Sequence, residues 1–258
     1  MVFNWMIEAI KWKTLLKGIS NITLMAAFRA IMSGVTVSIF TPNRIGEFAG
    51  RIFHLNPYNR IKGALASVTG SMSQLLVTII IGSISLFLLH DRYINISEGY
   101  SLLINSIIFL LMIFLIWIYF NLSKVPVWLP KSALVKKIIP YINFIKTYNK
   151  VVMGNILILS FMRYAIFTIQ YVLILKIFTV DVPVIEMIQI IALTYLVTAM
   201  IPSFALSELA LKGTVAMHLF TQSEPTSILA ASVSIWIINI VLPGIIGAFT
   251  TFYFKMKQ

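Results

Sequence analysis

Residues 41–51 read TPNRIGEFAGR, a short polar segment between two segments apolar enough to lie in a lipid bilayer. Pro42 has no N–H and its ring clashes with the preceding turn, so a helix that arrives at residue 41 ends there. Beyond this break, Glu47 and Arg51 are four residues apart, and that spacing puts opposite charges on one face of a new helix. Ionisable groups at membrane depth usually mark a site or a pathway. The segment therefore predicts a broken helix with functional charge; the alternative is a hydrated loop at the membrane surface.

The composition is that of a membrane protein. Of the 258 residues, 59% are hydrophobic and 11% are charged, whereas a soluble domain carries about 25% charged residues. Several apolar runs of roughly 20 residues are continuous rather than alternating, which predicts an all-α polytopic membrane protein and not an outer-membrane barrel. The net charge of +12 lies mainly in loops, as the positive-inside bias predicts, and does not indicate nucleic-acid binding. With no cysteine and three scattered histidines, we expect no disulfide, no metal site and no cofactor.

The chain is predicted to form one transmembrane domain, residues 1–258, with about six long transmembrane helices and two short broken or re-entrant helices. The long spans are expected at residues 19–41, 62–90, 100–121, 151–178, 183–201 and 227–254, and the short helices at 43–56 and 205–221. Residues 1–16 are too short to span and predict the last turns of a helix at the interface, with Trp5 and Trp12 among head groups and Lys11 in water. Residues 123–150, with six lysines and three prolines, predict either amphipathic helices on an anionic leaflet or a simple topology signal.

The break recurs later in the chain. Pro202 and Ser203 interrupt the apolar run, Glu208 follows the proline six positions later, and Lys212 lies four residues beyond. The spans that follow the two breaks also align, with Gln74 opposite Asn239 and Gly82 opposite Gly247. The match predicts a structural duplication with repeat 1 at about residues 1–121, a basic loop at 122–150 and repeat 2 at about 151–258.

Loop charge predicts the orientation of the repeats. When residues 123–150 are placed in the cytoplasm, the C-terminus and the other basic clusters also become cytoplasmic, and the two halves cross the membrane in opposite senses. This is the inverted-repeat arrangement of transporters, in which broken helices meet near the midplane and their dipole ends can hold charged groups.

The pattern resembles the lysylphosphatidylglycerol synthase transmembrane region, a family also described as flippase-like. The resemblance covers essentially the whole chain and is carried by Lys11-Trp12, TPNRIGEFAGR at 41–51, Arg163-Tyr164, and Ile201-Pro202 followed by SELA at 207–210. It implies an integral protein of the bacterial cytoplasmic (inner) membrane, linked to moving or modifying envelope lipids. The family's second break is usually glycine-rich, whereas residues 202–207 here read PSFALS. In the namesake an aminoacyl-transferase domain follows the membrane region; nothing after Phe254 could form one, so we expect a stand-alone membrane region that is not an enzyme.

The candidate site residues are the charged and polar groups at the breaks and inside the spans. We predict substrate-binding roles for Arg29, Arg44, Glu47, Arg51, Gln74, Arg163, Glu208, Lys212 and Asn239, and helix-breaking roles for Pro42, Asn43, Gly46, Pro202 and Ser203. Guanidinium groups can hold a phosphate in bidentate fashion, which favours Arg44 and Arg51 as head-group ligands. Arg29 and Arg163 need partners, expected to be Glu47 or Glu208. Structural ion pairs, interfacial snorkelling and helix–helix hydrogen bonds remain the alternatives.

The leading functional hypothesis is a translocase for a phospholipid or a lipid-linked carrier, whose head group binds in a central polar cavity while its acyl chains stay in the bilayer. Its expected partners are membrane lipids, anionic or phosphate-bearing. A second hypothesis is a non-transporting membrane partner or scaffold that docks an envelope-lipid or glycan biosynthesis enzyme through residues 123–150. A membrane enzyme that acts on lipid phosphates is the weakest, because no Ser/His/Asp or metal-ligand constellation is evident at the predicted site.

Overall fold

The computed structural model describes residues 1–89, 98–124, 141 and 143–255, and all regular structure within them is helical. This confirms the all-α prediction. In chain order the α-helices are α1 Val2–Leu15, α2 Leu24–Ser38, α3 Gly46–Ile52, α4 Arg60–Leu88, α5 Glu98–Phe120, α6 Lys150–Ile177, α7 Val184–Met200, α8 Ala205–Leu219, α9 Pro225–Trp236 and α10 Leu242–Lys255. A π-helical turn, Ile237–Val241, joins α9 to α10. Most of the predicted basic loop at 122–150 lies outside the described residues.

Four helical stretches in the described part of the chain are long and apolar enough to cross a membrane: Pro57–Leu88, Leu102–Phe120, Lys150–Ile177 and Pro225–Thr251. The predicted spans at 19–41 and 183–201 form the shorter apolar helices α2 and α7, with 15 and 17 residues. The first is shorter because Thr23 caps α2: its hydroxyl accepts a hydrogen bond from the backbone N–H of Ala26 at 3.2 Å. Four long spans are therefore found where six were predicted.

Helix α1 lies inside the protein, and the prediction that residues 1–16 reach the membrane interface is wrong. Trp5, Trp12 and Lys11 are each only 1% exposed. The helix packs against α2, α4 and α6. The prediction failed because it assumed that tryptophan and lysine near a chain end seek head groups and water. A short helix can instead be enclosed by longer neighbours when its charged groups find partners there.

The first break produces a tight hairpin of α2 and α3. Thr41 has an extended backbone, Pro42 begins a 3₁₀ turn, and the Thr41 hydroxyl accepts a hydrogen bond from the N–H of Gly46 at 2.8 Å. Helix α3 spans seven residues, shorter than the predicted 43–56. It returns along α2 so closely that a Cβ on Gly50 would lie 2.6 Å from the Cα of Gly34. Backbone-to-backbone contact of this kind is possible only between small residues.

The second break produces a comparable hairpin of α7 and α8, and each hairpin packs on a long helix of the other half. Helix α2 contacts α10, and α7 contacts α4. A Cβ on Gly82 of α4 would lie 2.6 Å from the Cβ of Leu196 and 3.1 Å from the carbonyl of Ala192. A Cβ on Gly247 of α10 would collide with the carbonyl of Met32 and the hydroxyl of Thr36.

These two contacts use corresponding positions. Thr36 and Met32 lie six and ten residues before Pro42, and Leu196 and Ala192 lie six and ten residues before Pro202. Because Gly82 and Gly247 are themselves aligned in the sequence, each hairpin meets its partner helix through the same pair of positions.

Substitution of Gly50 tests the close packing of α2 and α3. We expect Gly50→Ala to lower the free energy of unfolding by about 2 kcal/mol, because the added methyl group forces two backbones apart. Gly154→Ala in α6 is the matched control, since nothing lies within 4 Å of its added Cβ. Thermal unfolding of the detergent-solubilised protein measures both. Equal melting temperatures for the two variants would contradict the described hairpin.

Candidate functional site

A buried carboxylate stands at the centre of the charged residues. Glu8 of α1 is 2% exposed and forms ion pairs with three cations. Its oxygens lie 2.7 Å from Lys11 Nζ, 3.0 Å from Arg51 Nη2 and 2.9 Å from Arg163 Nη1. Lys11 belongs to α1, Arg51 to α3 and Arg163 to α6, so the contacts join three helices. A buried charge is tolerated when it is paired and hydrogen-bonded in this way.

Arg163 is held on several sides. Its Nε donates a hydrogen bond to Asn4 Oδ1 at 2.7 Å, and its Nη1 donates to Glu8. The guanidinium carbon lies 5.0 Å from the centre of the Trp5 ring and 5.4 Å from that of Phe167, within the range of cation–π attraction. The predicted partners of Arg163 were Glu47 or Glu208; its ion-pair partner is Glu8 instead.

The two pairs expected from the spacing at the breaks are both formed. Arg51 pairs with Glu47 as well as with Glu8 and so bridges two carboxylates. Lys212 Nζ donates to Glu208 Oε1 at 2.5 Å. The side chains of Lys212 and Glu208 are 26% and 14% exposed, whereas that of Arg51 is 2% exposed. The second pair is therefore more accessible to solvent.

A cavity of about 270 Å³ lies between the hairpins and is lined by residues from both halves of the chain. Its charged lining residues are Arg44, Arg163, Glu208 and Lys212, its polar ones are Gln74, Thr78, Thr198 and Asn239, and its aromatic ones are Trp5, Tyr164, Phe167, Tyr171, Tyr195 and Trp236. Three cations therefore face the cavity with one carboxylate. Such a wall can hold a phosphate or another anion against aromatic surfaces.

Several polar atoms at this cavity have spare hydrogen-bonding capacity. Gln74 Nε2 donates to the carbonyl of Ser160 at 3.4 Å, and Asn239 Nδ2 donates to the carbonyl of Ile235 at 3.0 Å. The side-chain oxygens of both residues, and the indole N–H of Trp5, have no hydrogen-bond partner among the described residues. These two acceptors and one donor are buried and unpaired, on side chains that line the cavity.

The structure divides the predicted site residues into three groups. Arg44, Gln74, Arg163, Glu208, Lys212 and Asn239 meet at the cavity, while Glu47 and Arg51 lie behind its wall in the group around Glu8. Arg29 of α2 is not among the lining residues, and its charge acts on His54. Of the predicted helix-breaking residues, Pro42 and Asn43 form the 3₁₀ turn, Gly46 begins α3, and Pro202 and Ser203 lie between α7 and α8.

Sequence reasoning missed Glu8, Lys11 and Asn4, as well as the aromatic lining. A signal for Glu8 was available: it is the only acidic residue before Glu47, and a lysine follows it three positions later. In a chain with few acids and many bases, a lone carboxylate in an apolar helix predicts a buried ion pair.

A second polar contact involves His54, which the sequence left without a role. Its Nε2 lies 2.8 Å from Ser33 Oγ, and Ser33 Oγ lies 2.8 Å from Thr251 Oγ1. These bonds connect the end of the first hairpin to α10, and the three residues line, with Phe53, a separate cavity of about 340 Å³. Among the described residues, no cluster of three or more His, Cys, Asp or Glu could hold a metal ion.

Removal of the central carboxylate tests the buried cluster. We expect Glu8→Gln to lower the free energy of unfolding by about 3–5 kcal/mol, because three buried cations lose their common partner. Glu224→Gln is the matched control, since Glu224 is exposed before α9 and should change stability little. Chemical denaturation in detergent measures both variants. A Glu8→Gln protein as stable as the control would exclude the pairing.

Comparison with known proteins agrees with this architecture. The family model described as lysylphosphatidylglycerol synthase TM region matches residues 1–247. No curated protein and no solved structure matches the chain. The matched family is a membrane domain associated with lipid and envelope biology, and the apolar helices agree with an integral membrane protein. The chain belongs to the lysylphosphatidylglycerol synthase transmembrane-region family.

Proposed function

We propose that this protein is a translocase that carries a phosphate-bearing lipid head group through the central cavity, while the acyl chains remain in the bilayer. The observation that carries the proposal is the convergence of Arg44, Arg163 and Lys212 on one cavity between two broken-helix hairpins. With one carboxylate, Glu208, on the same wall, an empty cavity has excess positive charge. A phosphate group would balance that charge.

Arg44 is the strongest candidate for the phosphate ligand. It is partly buried, and its charge acts on the carboxylates of Glu47 and Glu208, but no side-chain hydrogen bond or direct ion pair joins it to another residue in the described part of the chain. Arg163 and Lys212, by contrast, already pair with Glu8 and Glu208. A partly buried guanidinium whose N–H groups have no hydrogen-bonded anion gains from one that reaches it, and its fork geometry suits phosphate oxygens.

The rest of the cavity suits a head group that carries hydroxyls. Once their side chains turn towards the cavity, the unpaired oxygens of Gln74 and Asn239 can accept hydrogen bonds from a head group, and the indole N–H of Trp5 can donate one. Aromatic walls provide apolar contact for the carbon skeleton of such a group. A glycerol or sugar phosphate on a lipid combines these features.

Reciprocal packing of the hairpins supports an inverted repeat as the basis of transport. Each hairpin contacts a long helix of the other half through residues six and ten positions before its proline. In transporters with inverted repeats, such broken helices flank a midplane site, and rocking of one repeat against the other exposes the site alternately to the two sides. We propose the same arrangement here, in the bacterial inner membrane with residues 123–150 on the cytoplasmic side.

Translocation in reconstituted vesicles tests the function. Vesicles are labelled with fluorescent phosphatidylglycerol, and a quencher that cannot cross the membrane is added outside. With the wild-type protein present, lipid from the inner leaflet should reach the outer leaflet, and its fluorescence should be quenched. Arg44→Gln/Lys212→Gln should slow this quenching at least about tenfold, a change equivalent to about 1.4 kcal/mol in the barrier, since two phosphate ligands are removed.

Lys17→Gln is the matched control, because Lys17 is an exposed lysine away from the cavity. Mass spectrometry of the recovered lipid should find it chemically unchanged, as expected for a translocase and not for an enzyme. Equal rates in the double variant and the wild type would contradict the role of the cavity, and an inactive wild type would contradict the proposed transport of this lipid.

A further inference from the structure

The buried ion cluster around Glu8 contains one cation more than its carboxylates can neutralise. Its members are Glu8, Lys11, Glu47, Arg51 and Arg163, joined by ion pairs. Two carboxylates therefore face two guanidinium groups and one ammonium group. An uncompensated charge in the interior of a membrane protein is unfavourable, so the cluster gains by losing one positive charge or by acquiring one anion.

Lys11 is the member of the cluster that can give up this charge. A guanidinium group keeps its proton at any physiological pH, whereas an amine can release one. If Lys11 becomes neutral, the two carboxylates and the two arginines balance. An anion that binds in the neighbouring cavity, where Arg163 forms part of the wall, attracts positive charge and so favours the protonated form of Lys11.

Every helix packed around Lys11 contributes to its surroundings. Glu8 lies on its own helix, Arg51 reaches it from α3, and Arg163 and Ser160 reach it from α6. Helix α4 presents Gly70, where a Cβ would lie 3.4 Å from Lys11 Cε. The sole ionisable residue of α2 is Arg29, whose charge acts on His54. Glu8 is thus the one carboxylate in direct contact with Lys11 among the described residues.

Hydroxyl groups connect Lys11 to the far end of α5. Lys11 Nζ donates to Ser160 Oγ at 3.4 Å, and Ser160 Oγ donates to Ser73 Oγ at 3.0 Å. The buried hydroxyl of Tyr119 lies 3.2 Å from Ser73 Oγ and 2.9 Å from the carbonyl of Met153, and its one proton can be donated to either. Tyr119 is the penultimate residue of α5. A proton can pass along such a row when each hydroxyl gives up one proton and accepts another.

We propose that Lys11 is the proton-exchanging group of this protein and that it takes up a proton when an anionic head group enters the cavity. The proton comes from solvent and reaches Lys11 Nζ from the hydroxyl of Ser160, which gives up its own proton to Lys11 and accepts one from Ser73; the steps reverse when the head group departs. Anion and proton then travel together, which couples transport to a proton gradient. The inference rests on the proposed function, because it requires an anion at this site.

Proton uptake on binding tests the inference. The full chain, in nanodiscs of zwitterionic lipid near neutral pH, is titrated calorimetrically with dioctanoyl phosphatidylglycerol and, separately, with inorganic phosphate. Each titration is repeated in two buffers of different ionisation enthalpy, so that the difference in heat reports the protons taken up per ligand. We expect uptake by the wild type with at least one probe; the effective probe identifies whether lipid or free phosphate is the source of the anion.

Two Lys11 variants and one control make the result specific. Lys11→Gln should bind the probe without proton uptake, and it should fold because the remaining four charges balance. Lys11→Arg should also lose the uptake, since a guanidinium cannot release its proton, while Lys17→Gln should retain it. Binding by the wild type without uptake, or uptake that persists in Lys11→Gln, would overturn the inference and leave the proposed function intact. A wild type that binds neither probe would overturn both.

Discussion

A carboxylate in the interior of a membrane protein must be neutralised by nearby cations, and Glu8 forms ion pairs with three of them. This requirement explains why the short helix α1 is enclosed rather than left at the membrane surface. It also connects the first hairpin, through Arg51, to α6 of the second half, through Arg163. Because Arg51 pairs with Glu47 as well, Arg44 faces the cavity without a direct ion pair among the described residues, although its charge acts on Glu47 and Glu208. The buried anion thus determines which cations remain available to a ligand.

Each hairpin packs on a long helix of the other half, but the two hairpins differ in electrostatics. The first is fixed by a buried cluster of five charged residues, whereas the second has the more exposed pair of Glu208 and Lys212. In the proposed transport cycle the second pair is therefore the one that can separate, so that Lys212 binds the phosphate and Glu208 is left to water. The first hairpin and α6 would serve as the rigid side of the cavity. The two halves of an inverted repeat can differ in this way in the charges that they carry.

The features that could be predicted from the sequence depend on residues a few positions apart in the chain. Proline interrupts a helix wherever it falls, and residues four apart share a helical face, so the breaks and the pairs Glu47–Arg51 and Glu208–Lys212 follow from local rules. The pairing of Arg163 with Glu8 joins residues 155 positions apart, and no spacing rule reaches that far. The start of α2 was also not predicted. Apolar residues occur before Thr23 as well as after it, but the Thr23 hydroxyl caps the helix and so sets its first turn. The six cavity residues were named individually, but their meeting at one site required the packing of α4, α6, α8, the 3₁₀ turn before α3 and the turn before α10.

The central claim is that a phosphate-bearing lipid head group occupies this cavity. The most direct measurement is unbiased mass spectrometry of the lipids that stay bound during purification, in the wild type and in Arg44→Gln/Lys212→Gln protein. The account predicts that lipids with a phosphate head group are enriched on the wild type relative to the surrounding membrane, and that this enrichment disappears in the variant. The same bound lipids on both proteins, or no enrichment on the wild type, would contradict it.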